Sequence, residues 1–218
     1  MMSFDFVCLV IIKSIALFMS IWNWRFLPLA YRLVFFITLL SLTVEVIGRY
    51  VAVVMHQGNL QLFNVYALVQ MLVLGYAGWL LVYKKSYKRI IVSLLVIETC
   101  HWLWYVLNVD VHKFFNWFFV LSALLLVIAF ILVLIENALF KNQKIFTQPL
   151  SLICISYILI FGSTIPLFGV MNVLTATDMA VADALFRINL FANILGYALI
   201  AIAFYLYGKQ AGREYVRQ

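Results

Sequence analysis

Charged side chains are scarce in this sequence: Asp, Glu, Lys and Arg make up 11% of its 218 residues, while 67% are hydrophobic. A soluble domain carries about 25% charged residues. A chain this poor in charge has no surface to offer water, which excludes an ordinary soluble enzyme or binding module. Proline and glycine are also few, at three and nine, and no long linker or low-complexity tract divides the chain, so residues 1–218 read as one unit. The cysteines, Cys8, Cys100 and Cys154, fall inside apolar stretches without metal-ligand spacing and read as buried thiols. The histidines, His56, His101 and His112, form neither HxxxH nor HExxH, which argues against a zinc hydrolase. Cys100 and His101 are neighbours, but adjacent helical positions point in different directions and do not make a nucleophile–base pair. GxSxG is absent, and the last apolar stretch has no mid-helix lysine of the kind that retinal needs. No metal or cofactor is expected.

What the chain has instead is seven apolar stretches, near residues 6–24, 33–55, 62–83, 90–109, 114–136, 150–173 and 183–207. Each approaches or exceeds the roughly 20 residues that cross a bilayer as a helix. None alternates as a barrel strand would. Backbone groups in lipid must be satisfied within their own segment, so the stretches are helices. The expected fold is all-α: a polytopic bundle of about seven transmembrane helices. The MMSFDF start lacks the basic residues of a cleaved signal peptide, so the first stretch is expected to remain as a helix.

Basic residues orient the bundle. Arg25, Arg32, Lys84, Lys85, Lys88, Arg89, Lys141, Lys144, Lys209, Arg213 and Arg217 fall on one side; Lys113 alone falls on the other. The pattern predicts an N-out/C-in topology. It also explains the net charge of +7 without nucleic acid, because the charges rim helix ends instead of forming a binding patch. Trp22, Trp24, Trp79, Trp104 and Trp117 near span ends fit an interfacial belt.

Against this background the polar groups inside the spans stand out. Lys13, Glu45, Arg49, Glu98 and Arg187 lie within apolar stretches, and each unpaired charge at mid-bilayer costs roughly 2.5–3.5 kcal/mol on the mildest scale. They must pair, face water or lose charge. Two pairings suggest themselves, Lys13 with Glu45 and Arg49 with Glu98. Glu45 and Arg49 are four residues apart, Glu98 and His101 three apart, so each couple shares a helix face. Asn64 and Gln70 on the third helix, and Asn189, Asn193 and Tyr197 on the seventh, add uncharged polar groups at similar depths. The set sits in the central and outer layers. In FGSTIPLFG, Pro166 removes a donor and frees the carbonyl of Gly162, which predicts a kink or a short unwound turn. The candidate ligand-binding or gating residues are therefore Glu45, Arg49, Asn64, Gln70, Glu98, His101, Arg187, Asn189 and Asn193, with Pro166 at a helix kink.

Three segments carry a resemblance: FNVYALVQ opening helix three, SYILIFGSTIPLFG in helix six and NLFANILGYALIAIAFYLYGK in helix seven. The chain resembles a loose group of uncharacterised seven-helix inner-membrane proteins of the Bacteroidota, over about helices three to seven. That group often has a Pro–Phe–Trp-like sequence where this chain reads Pro166-Leu167-Phe168. The resemblance implies a Gram-negative inner membrane and, through association with sensor kinases, a signalling role; it implies no activity and no site residues.

The expected function is that of a sensor or receptor-like seven-helix protein, not an enzyme, with a polar cavity in the central and outer membrane half. Excess positive charge among the buried groups points to a small anionic ligand. Beyond the lipid bilayer, a cytoplasmic signalling partner at the basic 84–89 loop and a homo-oligomer are the expected partners. Two alternatives stay open: a small oligomeric transporter or channel, and an intramembrane lipid-modifying enzyme using Glu98 and His101 as an acid–base pair.

Overall fold

The computed structural model describes residues 4–56, 58–109, 113–141, 148–177 and 179–216. Seven helices account for nearly all of them: α1 (Phe4–Trp22), α2 (Leu29–Val53), α3 (Leu60–Leu81), α4 (Lys85–Asn108), α5 (Asn116–Lys141), α6 (Pro149–Thr177) and α7 (Met179–Val216). All seven are long and apolar enough to cross a membrane, so the chain is a multi-pass membrane protein. Its exposure pattern agrees. Ile11, Phe18, Ile21, Trp22, Leu107 and Phe191 are all more than half exposed, an arrangement that hydrocarbon accepts and water does not.

Six helices close a ring. α1 packs on α2 and α7, α2 on α3, α3 on α5, α5 on α6, and α6 on α7. α4 lies outside it, against α3 and α5, and buries only Ile91 and Glu98. Close approach is set by small residues. A Cβ on Gly196 would sit 2.5 Å from Ile160 and 3.2 Å from the Ser156 carbonyl, so α6 and α7 touch at backbone distance there. A Cβ on Gly208 would overlap the amide of Asn23, whose Nδ2 donates to the Phe204 carbonyl at 3.3 Å and ties the end of α1 to α7.

Several helix bounds differ from those read in the sequence, and the differences share a cause. α4 starts at Lys85 and α7 continues to Val216. Lysine and arginine end an apolar stretch but not a helix, because their long stems reach the interface while the backbone goes on. The basic 84–89 segment is therefore chiefly the first turns of α4 and not a loop. The turn before it, residues 82–84, is held by a group the sequence reading passed over. Glu136 of α5, almost fully buried, accepts the backbone N–H of Tyr83 at 2.8 Å and of Lys84 at 2.7 Å. Its carboxylate thus caps α4 from a neighbouring helix. Lys144 and Arg217, counted among the orienting basic residues, and His112 lie outside the described residues.

α6 is continuous through Pro166. The short unwound turn considered for FGSTIPLFG does not form; the hydroxyls of Ser163 and Thr164 bond back to the Ile160 carbonyl at 2.9 and 2.8 Å.

Glu136→Ala removes two charge-assisted bonds to buried amides and is expected to cost about 3 kcal/mol, read as a lower melting temperature of the detergent-solubilised protein. Glu136→Gln, which keeps one acceptor, should lose less. Equal stability of all three proteins would show that the cap contributes nothing.

Candidate functional site

Lys13 sits on α1 with no exposed surface. Its Nζ donates to Glu45 Oε1 at 2.5 Å and to Ser41 Oγ at 2.7 Å. Ser41 and Glu45 are one turn apart on α2, so a single helix face presents both acceptors. The ammonium also lies 4.5 Å from the centre of the Tyr197 ring on α7, and the Tyr197 hydroxyl is bonded to Ser41 at 3.3 Å. Three helices are thereby pinned around one charge. The Lys13–Glu45 pairing foreseen in the sequence forms. Glu45 is not consumed by it: the side chain is 26% exposed, and its second oxygen, Oε2, is buried without a hydrogen-bond partner among the described residues.

Glu45 lines a chamber of about 190 Å³ at the centre of the ring. Gln70 and Tyr66 of α3, Ser122 of α5, Thr164 of α6 and Asn189 and Asn193 of α7 share its wall. Toward the face where α1 begins, a wider vestibule of about 420 Å³ is lined by Asp5, Arg49, Asn59 and Phe186. The two spaces share Glu45, Phe168, Asn189 and Asn193 in their walls, so they adjoin at these side chains. At the opposite face a third cavity, about 500 Å³, lies between the ends of α2, α3, α6 and α7. Val34, Met71, Leu74, Ile153, Tyr157 and Ile200 are all essentially buried, and they pack the layer between it and the chamber.

The amides of α7 have fixed orientations. Ser163 and Thr164 spend their hydroxyl protons on the Ile160 carbonyl. Whatever faces their oxygens must therefore donate, and Asn189 Nδ2 does, at 3.0 and 3.2 Å. Asn193 Nδ2 in turn donates to the Asn189 carbonyl at 2.8 Å and to Asn189 Oδ1 at 3.2 Å. Both N–H groups of each amide are committed, which leaves Asn193 Oδ1 as an acceptor.

The structure thus gathers five of the nine candidates, Glu45, Arg49, Gln70, Asn189 and Asn193, around the chamber and vestibule. It places four elsewhere. Glu98 faces its own helix and α5, with His101 Nδ1 at 3.4 Å and Ser122 Oγ at 3.5 Å. It does not pair with Arg49, whose guanidinium lies over the Phe6 ring at 4.5 Å. Asn64 braces the start of α5: it donates to the Lys113 carbonyl at 2.9 Å and accepts the Phe115 N–H at 3.3 Å. Arg187 is 75% exposed and bonds Asp183 at 2.9 Å, one turn away on α7. Ser41 and Ser122 are chamber residues the sequence reading missed. The spacing of Ser41 and Glu45 was a usable signal; Ser122, inside an unbroken apolar run, gave none.

No group of three or more His, Cys, Asp and Glu side chains capable of holding a metal gathers among the described residues. No protein-family model matches the chain, and neither does any curated protein or any solved structure.

Lys13→Met and Glu45→Gln each strand one half of the pair. Each is expected to cost about 3 kcal/mol in detergent unfolding, toward the low end for a buried pair because Glu45 is partly exposed. Lys13→Met/Glu45→Gln, which strands neither, should lose less than either single change. Additive losses would mean that the two residues are not coupled.

Proposed function

We propose that the protein is a sensor or receptor-like membrane protein that takes a small ligand into its central chamber from the outer side. The observation that carries this reading is a polar chamber closed by packed side chains on one side and adjoining a vestibule on the other, with four side chains common to both walls. A chamber with a packed floor suits binding better than conduction. Positive-inside asymmetry supports N-out/C-in placement in the cell's inner membrane, with the vestibule outside. The first turns of α4, carrying Lys85, Lys88 and Arg89, then lie where anionic lipid or a cytoplasmic signalling partner would meet them.

A second reading is favoured by the cavity at the opposite face. Two cavities toward opposite faces, divided by a packed layer, are what a small transporter needs if that layer rearranges. The lipid-modifying alternative has less support, because Glu98 and His101 sit on α4, outside the ring, and line neither the chamber nor the vestibule.

In a chain stripped of Cys8, Cys100 and Cys154, Gln70→Cys is expected to react with a membrane-impermeant thiol reagent added outside. Leu74→Cys, one turn deeper and fully buried, should not. Labelling of Gln70→Cys only from the cytoplasmic side would overturn the orientation, and none from either side would overturn the accessible chamber. Proton or small-solute flux in liposomes that disappears in Glu45→Gln would replace the sensor by the transporter.

A further inference from the structure

The wall of the chamber is specific enough to say what kind of molecule it suits, on the reading that this chamber is the ligand site. Three properties decide it. The first is hydrogen-bond polarity. The N–H groups of Asn189 and Asn193 are committed to protein acceptors, as are the hydroxyl protons of Thr164, bonded to Ile160, and of Ser122, bonded to Glu98. What remains with fixed polarity is a pair of acceptors, Glu45 Oε2 and Asn193 Oδ1. Gln70, which no hydrogen bond engages among the described residues, and the buried, unpartnered Tyr66 hydroxyl serve either role. An occupant that satisfies the two fixed acceptors must bring a donor.

The second property is charge. Lys13 and Glu45 sum to zero, and the Lys13 ammonium is already engaged by Glu45, Ser41 and the Tyr197 ring. A cation would add an uncompensated charge within reach of Lys13; an anion would meet a carboxylate and an amide oxygen. Either would be a third, unpaired charge at mid-membrane, where such charges are expensive. This departs from the anionic ligand expected from the sequence, an expectation that counts Arg49 and Arg187 into the cavity along with Lys13. Arg49 stands in the vestibule, Arg187 outside, and Lys13 behind Glu45.

The third property is shape. Tyr66, Phe119, Phe161, Phe168 and Tyr197 supply aromatic surface to the chamber. A cavity of roughly 150 Å³ accommodates benzene, and this one, at about 190 Å³, is slightly larger.

We propose that the central chamber binds small, uncharged, ring-bearing molecules that carry a hydrogen-bond donor, such as phenols or indoles, with the donor on Glu45 Oε2 and the ring against the aromatic wall. A neutral O–H or N–H on a carboxylate makes a charge-assisted bond without introducing a new charge.

The test uses the full chain in detergent and fluorine NMR of four ring probes of similar shape. Para-fluorophenol is expected to give a saturable bound signal. Para-fluorotoluene, which lacks the donor, should bind about tenfold more weakly or worse, and para-fluorobenzoate and para-fluorobenzylammonium should be disfavoured to a similar degree. This comparison needs no variant. In Lys13→Met/Glu45→Leu, which leaves no stranded charge, the preference for the phenol over the toluene should vanish. Binding of the toluene as tightly as the phenol, tighter binding of either charged probe, or the absence of any saturable phenol signal would overturn the proposal. If the phenol fails while Gln70→Cys is still labelled from outside, the ligand class falls and the accessible chamber stands.

Discussion

An ammonium group in the middle of a membrane bundle has to be surrounded by acceptors before the helices around it can close. Lys13 meets this condition with one carboxylate, one hydroxyl and one aromatic face, drawn from α2 and α7. Those partners fix the rotation of three helices about their own axes, because a turn of either neighbour would carry Ser41, Glu45 or Tyr197 away from the charge. The polar interior follows from that orientation. Once Glu45 faces inward to reach Lys13, its side chain joins the chamber wall and its second oxygen is buried there without a partner among the described residues.

α6 and α7 impose a second order on the same space. Serine and threonine one turn before a proline bond to their own helix, which turns their oxygens into acceptors for the neighbouring strand of amides. Direction then propagates: Thr164 and Ser163 orient Asn189, and Asn189 orients Asn193. Backbone contact at Gly196 brings the two helices close enough for these bonds. The result is a wall whose hydrogen-bonding sense is set by the sequence SerThr-Ile-Pro on one helix and by four-residue spacing on the other.

The seven-helix fold was legible because hydropathy measures the one property that lipid demands, and each span was long enough to register. The Lys13–Glu45 pair was legible from cost alone, since two isolated opposite charges at one depth have few other solutions. Other assignments needed the ring closure, which no single helix encodes. Nothing in the α4 segment says that it packs outside, so Glu98 and His101 were read as interior neighbours of Arg49. Arg187 was read as buried because its surroundings are apolar, yet it lies on the outer surface of α7 beside Asp183. Asn64 was a polar residue at a suitable depth, but its amide is spent on the loop before α5. Glu136 stayed hidden because a carboxylate near a helix end looks like ordinary surface, and only the fold brings it against the amides of Tyr83 and Lys84.

α7 has a property that none of its neighbours shares. Its 38 residues extend about 57 Å at 1.5 Å per residue, nearly twice the roughly 30 Å of hydrocarbon. Asn189 and Asn193, which touch the chamber, lie in its first half, and Gly208, wedged against Asn23, lies in its second. Such a helix is a stiff shaft with a bearing partway along it. If the helix tilts as a rigid rod about its close contact with α6 at Gly196, a tilt imposed at the asparagines reappears, reversed in sense, at the end beyond Gly208.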